Sequence, residues 1–341
     1  MTQVEPDDLI RGILPSLSWS SGSRLPETAR VKLTLDTIRA SRVPAGVHLA
    51  FTGDASAVDV ALETGVPTTV PAPTVPDAFV ATARGAEPVV VDVPEGADTV
   101  RIPLPARAAD APVRVYLPEA REISIRAVTP VGGGIHPLAR GPLWVVYGDS
   151  IAQGWSVSRP GLAWPSLVAD ELGLDLVNLG FAGSARGELL AADVVGASAA
   201  DVVALAWGTN AWSSLSTDAG EIAQRMRLFL TTVRQGMPDA PIVVVSPLVR
   251  PDAEQKANRY GTTHAQLRDA LEGAVRAFVD EARDVRIALV GGLDLVPAEL
   301  LADGLHPDDR GHARFAERLL PHVRAAVASA GDSPVAEGGP R

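Results

Sequence analysis

The sequence predicts an α/β protein with two regions of different class, an antiparallel β-sandwich of jelly-roll type followed by a domain with a parallel sheet. Before about residue 130 the patterned segments are short and mostly alternating, and Gly, Pro or Asp separates them, as in antiparallel sheets. From residue 143 near-continuous apolar segments alternate with amphipathic ones, which is typical of buried parallel strands joined by helices. A chain of 341 residues is long enough for both.

The first region, residues 1–135, supplies the predicted sandwich. Helical periodicity is confined to about the first 40 residues, around residues 27–38. Seven segments have strand character, at residues 46–53, 57–65, 78–85, 87–96, 99–105, 113–120 and 122–130. The sequence VGGGIHPLARGP follows, and its residues 136–142 form the predicted linker, because glycine and proline interrupt both kinds of pattern.

The second region, residues 143–328, supplies alternating strands and helices. Strands are predicted at residues 143–148, 174–181, 201–208, 240–248 and 285–291, and helices at 163–173, 188–196, 217–236, 263–282 and 307–328. Because the strands are apolar along their whole length, we expect a parallel sheet covered by helices on both faces. The final segment SAGDSPVAEGGPR, residues 329–341, has the composition of a disordered tail.

Composition excludes several kinds of protein. The absence of cysteine excludes disulfides, thiol nucleophiles and cysteine metal sites. The net charge of −11 and the dispersed arginines leave no basic stripe for nucleic acid. Apolar runs are too short for a membrane span, and the acidic N-terminus lacks the apolar segment of a secretory signal, so a cytoplasmic protein is expected. No His, Asp and Glu cluster has metal-ligand spacing, and neither a metal nor another cofactor is predicted.

Residues able to perform chemistry follow the predicted strands of the second region. Ser150 follows the first strand, Gly183 the second and Asn210 the third, and Asp303 and His306 precede the last helix. Ligands of open parallel sheets bind outside the carboxyl ends of the strands. We therefore expect these five residues to meet at one edge of the sheet.

These residue types are those needed for acyl transfer. A histidine such as His306 can take the proton of Ser150, and Asp303, three residues earlier, can hold the imidazole in the required tautomer. The backbone N–H groups of Ser150 and Gly183, with the side-chain amide of Asn210, can stabilise an oxyanion. Glycine at position 183 adds no Cβ that would obstruct a ligand.

Four motifs carry a resemblance to a known family. GDSI, NLGFAG, GTN and DGLHP, in this order over residues 144–327, resemble the blocks of the SGNH (GDSL) hydrolases. The resemblance implies a flavodoxin-like three-layer α/β/α fold and cleavage of esters or thioesters without a metal. It assigns the family's functional positions to Ser150, Gly183, Asn210 and His306, with Asp303 preceding the histidine.

The chain departs from the family pattern at two positions. GDSI replaces GDSL, and Ala211 stands where the family usually has an aspartate that braces the loop of Asn210. The β-rich segment before GDSI is similar to the family's two-domain subgroup, which includes carbohydrate esterases and an acyltransferase that modifies a tetracycline-type polyketide. This similarity implies a small ester as substrate, such as an acylated sugar or polyketide.

Four further residues are candidates for substrate binding. Trp155 and Trp212 lie in sequence just after strand ends, and apolar ligand sites use such side chains; a place in the core is the alternative. The polar segment RPDAEQKANRYGTTH, residues 250–264, follows the fourth strand and is predicted to be a mobile substrate loop that contains Arg250 and Tyr260. A solvated connection without a role in binding is the alternative interpretation.

Other motifs and histidines favour a narrower set of roles. Ala152 stands where the Gly-x-Ser-x-Gly elbow of an α/β-hydrolase has its last glycine, which argues against that fold. His312 is assigned a surface or packing position on the last helix. His264 is assigned a capping or surface position at a helix start, with a role in substrate binding as the alternative.

Three functions are compatible with these residues. The leading hypothesis is a serine esterase that forms an acyl-enzyme on Ser150, with His306 as general base and Asp303 orienting it. The second is an acyltransferase that passes the acyl group to an alcohol during carbohydrate or natural-product tailoring. The third is an inert carbohydrate-binding or scaffold protein, suggested by the sandwich and opposed by the intact set of serine, aspartate and histidine.

Overall fold

The computed structural model describes residues 4–19, 22–67 and 76–331. Its sheets are antiparallel in the first region and parallel in the second, so the predicted fold class is confirmed. None of the helices in these ranges has the length and apolar composition needed to cross a bilayer. The last 10 residues of the predicted tail, 332–341, lie outside the described residues.

The sandwich consists of two antiparallel sheets that share one apolar core. One sheet has the order β1-β2-β7-β4-β5 with β9 paired to β2, and the other has the order β6-β3-β8. The described strands are β1 (Ile10–Arg11), β2 (His48–Thr52), β3 (Ala57–Pro67), β4 (Ala78–Ala83), β5 (Val89–Asp92), β6 (Thr99–Pro103), β7 (Val113–Tyr116), β8 (Arg121–Val131) and β9 (His136–Pro137).

Alternation along the strands explains how the two sheets meet. In β6, Val100 and Ile102 are buried while Thr99, Arg101 and Pro103 face solvent. The buried side chains of β6 and its neighbours pack against those of the other sheet in a single cluster, as expected for strands with one buried face. The sandwich core therefore follows from the period of two in the sequence.

The first 43 residues take a course that the sequence pattern did not indicate. They contain α1 (Pro6–Leu9), α2 (Glu27–Arg30) and α3 (Leu35–Ser41), so the predicted helix at residues 27–38 is divided into two short ones. Apolar residues of this N-terminal segment, defined as residues 4–43, pack into the core of the α/β domain: Leu14, Leu25, Ala29, Leu33 and Ala40. The segment thus precedes the sandwich in the chain but contributes to both cores, because Leu9, Ile10, Ile13 and Trp19 pack in the core of the sandwich.

The α/β domain has a five-stranded parallel sheet of order β11-β10-β12-β13-β14. This is the flavodoxin-like order, in which the chain starts inside the sheet and reverses direction once. Its strands are β10 (Leu143–Gly148), β11 (Asp175–Gly180), β12 (Val202–Ala206), β13 (Ile242–Val245) and β14 (Ile287–Val290). Its helices are α4 (Ser150–Gln153), α5 (Trp164–Leu172), α6 (Leu189–Gly196), α7 (Ala219–Gly236), α8 (His264–Ala282) and α9 (Asp309–Gly331).

Helices cover both faces of this sheet. Along β10, Trp144 and Val146 pack with α5 and α9 on one face, whereas Val145 and Tyr147 pack with α6, α7 and α8 on the other. Since both faces are buried, the strands are apolar throughout, as the sequence predicted.

Local sequence signals set the helix ends. Pro165 lies in the first turn of α5, and Gly173 ends that helix with a φ of 66°. Thr263 and Gln266 form a capping box at the start of α8. These signals fix where each helix leaves the sheet, and the strand-to-helix connections at the carboxyl edge contain the residues described next.

Candidate active site

Ser150 lies in a sharp turn between β10 and α4. Asp149 caps the helix through Oδ1, which accepts the N–H of Ile151 at 3.1 Å. A Cβ at Gly148 would lie 2.5 Å from the carbonyl oxygen of Ala206, so only glycine lets the turn pass this close to β12. The strand therefore ends where it does because the chain must turn tightly there to place Ser150 at the edge of the sheet.

A continuous chain of hydrogen bonds joins Ser150, His306 and Asp303. The Oγ atom of Ser150 lies 2.8 Å from Nε2 of His306, and Nδ1 of His306 lies 2.8 Å from Oδ2 of Asp303. The other oxygen of Asp303 accepts the backbone N–H groups of Leu305 and His306 at 3.0 and 2.8 Å. The geometry is that of a nucleophile, a base and a carboxylate that orients the base.

The ionisation of Asp303 is consistent with this arrangement. Partial burial opposes its charged form, but hydrogen bonds from the His306 ring and from the two backbone N–H groups outweigh that effect and lower the pKa of Asp303. The carboxylate is therefore charged at neutral pH, as it must be to stabilise a protonated His306.

Gly183 and Asn210 lie at the same cavity as Ser150. Gly183 has a φ of +71°, and a Cβ there would meet nothing within 4 Å, so the glycine serves backbone conformation and leaves space for a ligand. Asn210 is 7% exposed, and its Nδ2 is buried without a hydrogen-bond partner among the described residues. A buried unpaired donor costs about 1–3 kcal/mol, which a bound oxyanion would offset.

The loop of Asn210 is braced although Ala211 lacks the family's carboxylate. Oδ2 of Asp149 accepts the N–H of Thr209 at 3.3 Å, and Nδ2 of Asn258 donates to the carbonyls of Thr217 at 2.8 Å and Ala211 at 3.4 Å. Burial raises the pKa of Asp149, and the hydrogen bonds from the backbone of Ile151 and Thr209 oppose that shift. Asp149 thus links the serine turn to the asparagine turn, and the role of Asn258 had no signal in the sequence.

The cavity has a volume of about 290 Å³. Trp155, Ala182 and Leu305 give it apolar walls, and Ser213 and Ser214 add hydroxyl groups. The ring of Trp155 lies 5.7 Å from that of His306 between centroids. At the small end of the usual ligand-site range, this volume suits a small acyl group.

The structure places one of the four predicted substrate-binding residues at the cavity and the other three away from its lining. Trp155 lines the cavity, whereas Trp212, Arg250 and Tyr260 are not among its lining residues. The Arg250 guanidinium lies 4.7 Å from the Trp212 ring centroid and donates to Oγ of Ser213 at 3.1 Å. Trp212 and Arg250 therefore support a lining residue from behind, while Tyr260 is 54% exposed.

The segment of residues 250–264, predicted to be mobile, is bonded internally. Glu254 accepts a hydrogen bond from Nη1 of Arg268 at 3.1 Å and contacts Nδ1 of His264 at 3.2 Å. Burial, followed by the charge of Arg268, lowers the pKa of His264 to about 4, so the ring is neutral. Arg250 pairs with Asp252, and Glu254 pairs with Arg268 of α8. The buried His264 differs from its expected capping or surface position.

His312 was predicted to be a surface or packing residue and is fully buried behind the site. Its Nδ1 accepts the N–H of Trp164 at 3.3 Å, and its Nε2 lies 3.3 Å from the carbonyl oxygen of Trp155. Burial lowers the pKa of His312 to about 4, so the neutral ring donates to Trp155. Asp309 accepts hydrogen bonds from the N–H and hydroxyl of Ser158 at 2.7 and 2.6 Å.

His312 contacts Trp155 near the start of a segment that we call the Trp155 loop, residues 154–163, and Trp164 directly after its end, while Asp309 binds Ser158 within it. Asp309 and His312 both lie in the first turns of α9, three positions apart, so their side chains are neighbours on the helix surface. Their closeness in sequence to His306 is the signal by which they could have been identified. No group of three metal-ligating side chains suited to a metal ion occurs in residues 4–19, 22–67 and 76–331.

Comparison with known families gives one match. The model of the GDSL-like lipase/acylhydrolase family matches residues 143–324, more than half of the chain. No sequence among the curated proteins matches this chain significantly.

Solved structures with similar folds include both regions of the chain. A GDSL-like lipase from Bacteroides ovatus is 21% identical, with a TM-score of 0.79 over 96% of this chain and 98% of that one. A salicylyl-acyltransferase from a tetracycline biosynthetic pathway is 24% identical, with a TM-score of 0.78 over 98% of both chains. A family two carbohydrate esterase from Clostridium thermocellum is 17% identical, with a TM-score of 0.61 over 83% and 92%. These likenesses show the fold.

Proposed function

The chain belongs to the GDSL-like lipase/acylhydrolase family, and we propose that it is a serine esterase acting on a small carboxylic ester through an acyl-enzyme on Ser150. The observation that carries this proposal is the hydrogen-bonded chain from Ser150 through His306 to Asp303, at a cavity that also contains the unpaired amide of Asn210. Groups able to act as nucleophile, base, orienting acid and oxyanion donor thus lie at one site, which supports the proposal.

Acylation follows from the geometry. Ser150 Oγ attacks the ester carbonyl carbon while Nε2 of His306 takes the hydroxyl proton, and the carbonyl oxygen becomes an oxyanion. The N–H groups of Ser150 and Gly183 and the Asn210 amide stabilise that oxyanion. The bond from the carbonyl carbon to the alcohol oxygen then breaks, and His306 returns the proton to the leaving alcohol. Asp303 stabilises the imidazolium in between.

Deacylation uses the same groups in reverse. His306 takes a proton from water, the resulting hydroxide attacks the acyl carbonyl, and the oxyanion forms again in the same place. Collapse of this second intermediate breaks the bond to Ser150 Oγ, which regains its proton from His306. The free acid leaves and the enzyme is restored.

The lining of the cavity indicates the kind of acyl group. Trp155, Ala182 and Leu305 offer apolar contacts, whereas Ser213 and Ser214 offer hydroxyls at the wall formed by the asparagine loop. We expect short or compact acyl groups to be cleaved faster than long chains, because the volume of about 290 Å³ is small. A panel of acetyl, butyryl and longer aryl esters, together with acetylated sugars, measures this preference.

Transfer to an alcohol is the second candidate, and one observation favours it. The Trp155 ring lies against the His306 ring, whose side chain is only 12% exposed, so an apolar surface shields part of the base from water. The similar two-region protein from a tetracycline pathway is a salicylyl-acyltransferase, which makes the same reaction class a reasonable test here. Incubation with an acyl thioester and candidate alcohols distinguishes the two: formation of the new ester supports transfer, and free acid alone with every acceptor supports hydrolysis.

The central test is replacement of the nucleophile. Ser150→Ala should abolish turnover of a short aryl ester and labelling by a fluorophosphonate probe, while the wild-type enzyme is labelled on Ser150. Near-wild-type turnover by the variant would reject the acyl-enzyme mechanism. An unlabelled wild-type protein without esterase activity would support the inert scaffold instead.

A further inference from the structure

Arg24 is a charged residue enclosed in the protein, and it comes from the N-terminal segment. Its side chain is fully buried. The guanidinium donates to two carbonyl oxygens of its own segment, Val43 and Ala40, both at 2.7 Å. It also donates to the carbonyl oxygens of Asn178 and, at 3.0 Å, Gly180, at the end of β11. Arg24 thus connects the N-terminal segment to the strand that leads into the Gly183 loop.

The burial of this charge is costly. Burial lowers the pKa of Arg24 to about 9, and the nearby Glu119 raises it, so the guanidinium is still charged at neutral pH. An enclosed charge costs several kcal/mol, and apolar residues of similar volume are often at least as stabilising. Fold stability alone is therefore a weak reason for an arginine here.

The peptide between Gly180 and Phe181 is held at both ends. Its carbonyl accepts from Arg24 at 3.0 Å, and its N–H donates to the carbonyl of Gly148 at 2.9 Å. The next N–H, that of Ala182, donates to Oε1 of Gln153 at 2.9 Å. Two successive peptide planes are thus fixed, and the following one carries the N–H of Gly183.

The helix that begins at Ser150 holds the same segment from the other side. Nδ2 of Asn178 donates to the carbonyl of Ala152 at 2.8 Å, and a Cβ at Gly180 would lie 2.3 Å from the backbone nitrogen of Gln153. The segment of residues 178–183 is therefore clamped between α4 on one side and Arg24 on the other. Removing one side leaves the hydrogen bonds of the other side to fix the loop.

We propose that Arg24 is a positioning residue for the oxyanion hole: by binding the carbonyls of Asn178 and Gly180, it sets the orientation of the Gly183 N–H. This inference rests on the proposed esterase function. Arg24 itself touches no reacting atom. Its planar fork of donors can hold two carbonyls at once, whereas a lysine ammonium at the same place acts as a point charge.

Arg11 provides a matched control within the same segment. It is 4% exposed and also donates to backbone carbonyls, those of Asp8 at 3.0 Å, Ile10 at 2.9 Å and Leu138 at 2.5 Å. Its Nε lies 3.7 Å from Asp175, at the beginning of β11. Arg11 and Arg24 therefore contact opposite ends of one strand, and only Arg24 contacts the end that leads to the site.

The experiment compares Arg24→Met, Arg24→Lys and Arg11→Met in the full chain. Tm, kcat and KM for an aryl ester are measured, with the affinity for a boronic acid that forms a tetrahedral adduct on Ser150. We expect Arg24→Met to lower kcat about tenfold to a hundredfold, with KM nearly unchanged and boronate affinity falling in the same ratio. Arg24→Lys should retain more activity, and Arg11→Met should lose Tm without losing kcat.

Double variants identify the loop through which Arg24 acts. Asn210 lies on a different loop, so the double variant of Arg24→Met and Asn210→Ala should lose kcat by the product of the two single losses. Arg24→Met and Gly183→Ala both disturb the N–H of Gly183. The loss of kcat in that double variant should therefore be much smaller than the product of the two single losses.

Two results would overturn the proposal: an Arg24→Met enzyme that loses Tm as Arg11→Met does but keeps its kcat, or a loss confined to KM. If Arg24→Met does not fold, Arg24→Lys with the same kinetic and boronate measurements decides. Failure of the esterase function is recognised separately: the wild-type protein would then show no turnover and no labelling of Ser150, or Ser150→Ala would leave turnover intact.

Discussion

In residues 1–142 every aromatic side chain is buried, whereas after residue 143 some reach the surface or the cavity. The four of the first region, Trp19, Phe51, Phe79 and Tyr116, are at most 2% exposed. In the α/β domain, Trp155 lines the cavity and Tyr260 is 54% exposed. Sugar-binding surfaces commonly use exposed aromatic faces. The sandwich therefore lacks such a platform, which argues against the inert carbohydrate-binding hypothesis.

The contacts of the sandwich with the α/β domain indicate a supporting role. Arg114 pairs with Asp170 of α5 at 2.9 Å. A Cβ at Gly161 would lie 2.8 Å from the Tyr116 ring, so the sandwich packs directly on the Trp155 loop. The candidate site thus lies at the strand ends of the α/β domain, while the sandwich contacts, from behind, the loop that forms a wall of the same cavity.

The largest difference between the regions should appear when a carboxylate is neutralised in each. Asp303→Asn should lower kcat by about 10⁴, because the imidazole loses the partner that fixes its tautomer and stabilises its charge. Asp59→Asn, which breaks an exposed pair with Arg101 in the sandwich, should leave kcat unchanged. Steady-state kinetics of both variants on one aryl ester test this. Equal losses of kcat would contradict the assignment of the chemistry to the α/β domain.

A smaller but still large effect is expected at the oxyanion donor. Asn210→Ala should lower kcat by about 10²–10³ with little change in KM, since the amide acts mainly in the transition state. Because Nδ2 of Asn210 is unpaired in the described structure, the substitution should not reduce Tm. A rise in KM alone, with kcat intact, would assign the amide to ground-state binding instead.

Buried histidines make both regions sensitive to acid. Burial lowers the pKa of His48 in the sandwich to about 3 and that of His312 to about 4, so both are neutral when folded. Below pH 6.5 the unfolded state binds protons that the folded state does not, and stability falls with pH. At pH 4.5 each histidine should cost about 2 kcal/mol of unfolding free energy relative to pH 7.

Urea unfolding of His48→Asn and His312→Asn at pH 7 and 4.5 measures that contribution. Each variant should lose less stability than the wild type over this interval, whatever its stability at pH 7. A variant with an unchanged difference between the two pH values would show that its histidine is not a source of the acid sensitivity.

The mildest change tests the wall that the sandwich supports. Gly161→Ala places a methyl group against the Tyr116 ring at a φ of +86°, and overpacking of this kind costs about 1–3 kcal/mol. We expect displacement of the Trp155 loop and a change of about tenfold in the kcat/KM ratio between small and bulky esters. Gly85→Ala, with a φ of +77° and open space, is the sandwich control and should leave the ratio unchanged.

Sequence reasoning was most effective where chemistry follows strand ends. The period of the apolar pattern predicted the parallel sheet, and the sheet rule then brought Ser150, Asn210 and His306 to one edge. Motif residues close to each other in sequence, such as Asp303 and His306, need no long-range information. In the structure Ser150, His306 and Asp303 are joined by hydrogen bonds, and substitution of Ser150 and Asp303 tests their catalytic roles.

Residues that act through distant packing were not predictable in this way. From the sequence alone, a charged residue such as Arg24 is expected at the surface. Its partners Asn178 and Gly180 lie 154 and 156 positions away in the chain, so no local pattern indicates its burial. The helical pattern at residues 27–38 shows an apolar face but does not say which core it joins. The charged residues at 250–264 predict a solvent-exposed segment. In the structure Glu254 instead accepts a hydrogen bond from Arg268 of α8.

The placement of the N-terminal segment has a consequence for how the chain is made. Its residues are synthesised before β11, and their partners in that strand emerge from the ribosome about 10–30 s later at typical rates of synthesis. Since the residues of the sandwich lie between the two in the chain, the sandwich can fold during this interval. The α/β core then closes around a segment that was synthesised earlier.

The α/β core thus depends on contacts between segments that are far apart in the chain, and such contacts are expected to slow folding. Until β11 arrives, Leu25, Leu33 and the other apolar residues of the segment have no partner in the α/β core, so this interval is when chaperone binding or aggregation competes with folding. If Arg24 positions the Gly183 loop as proposed, the site would be complete only after the N-terminal segment and β11 have met.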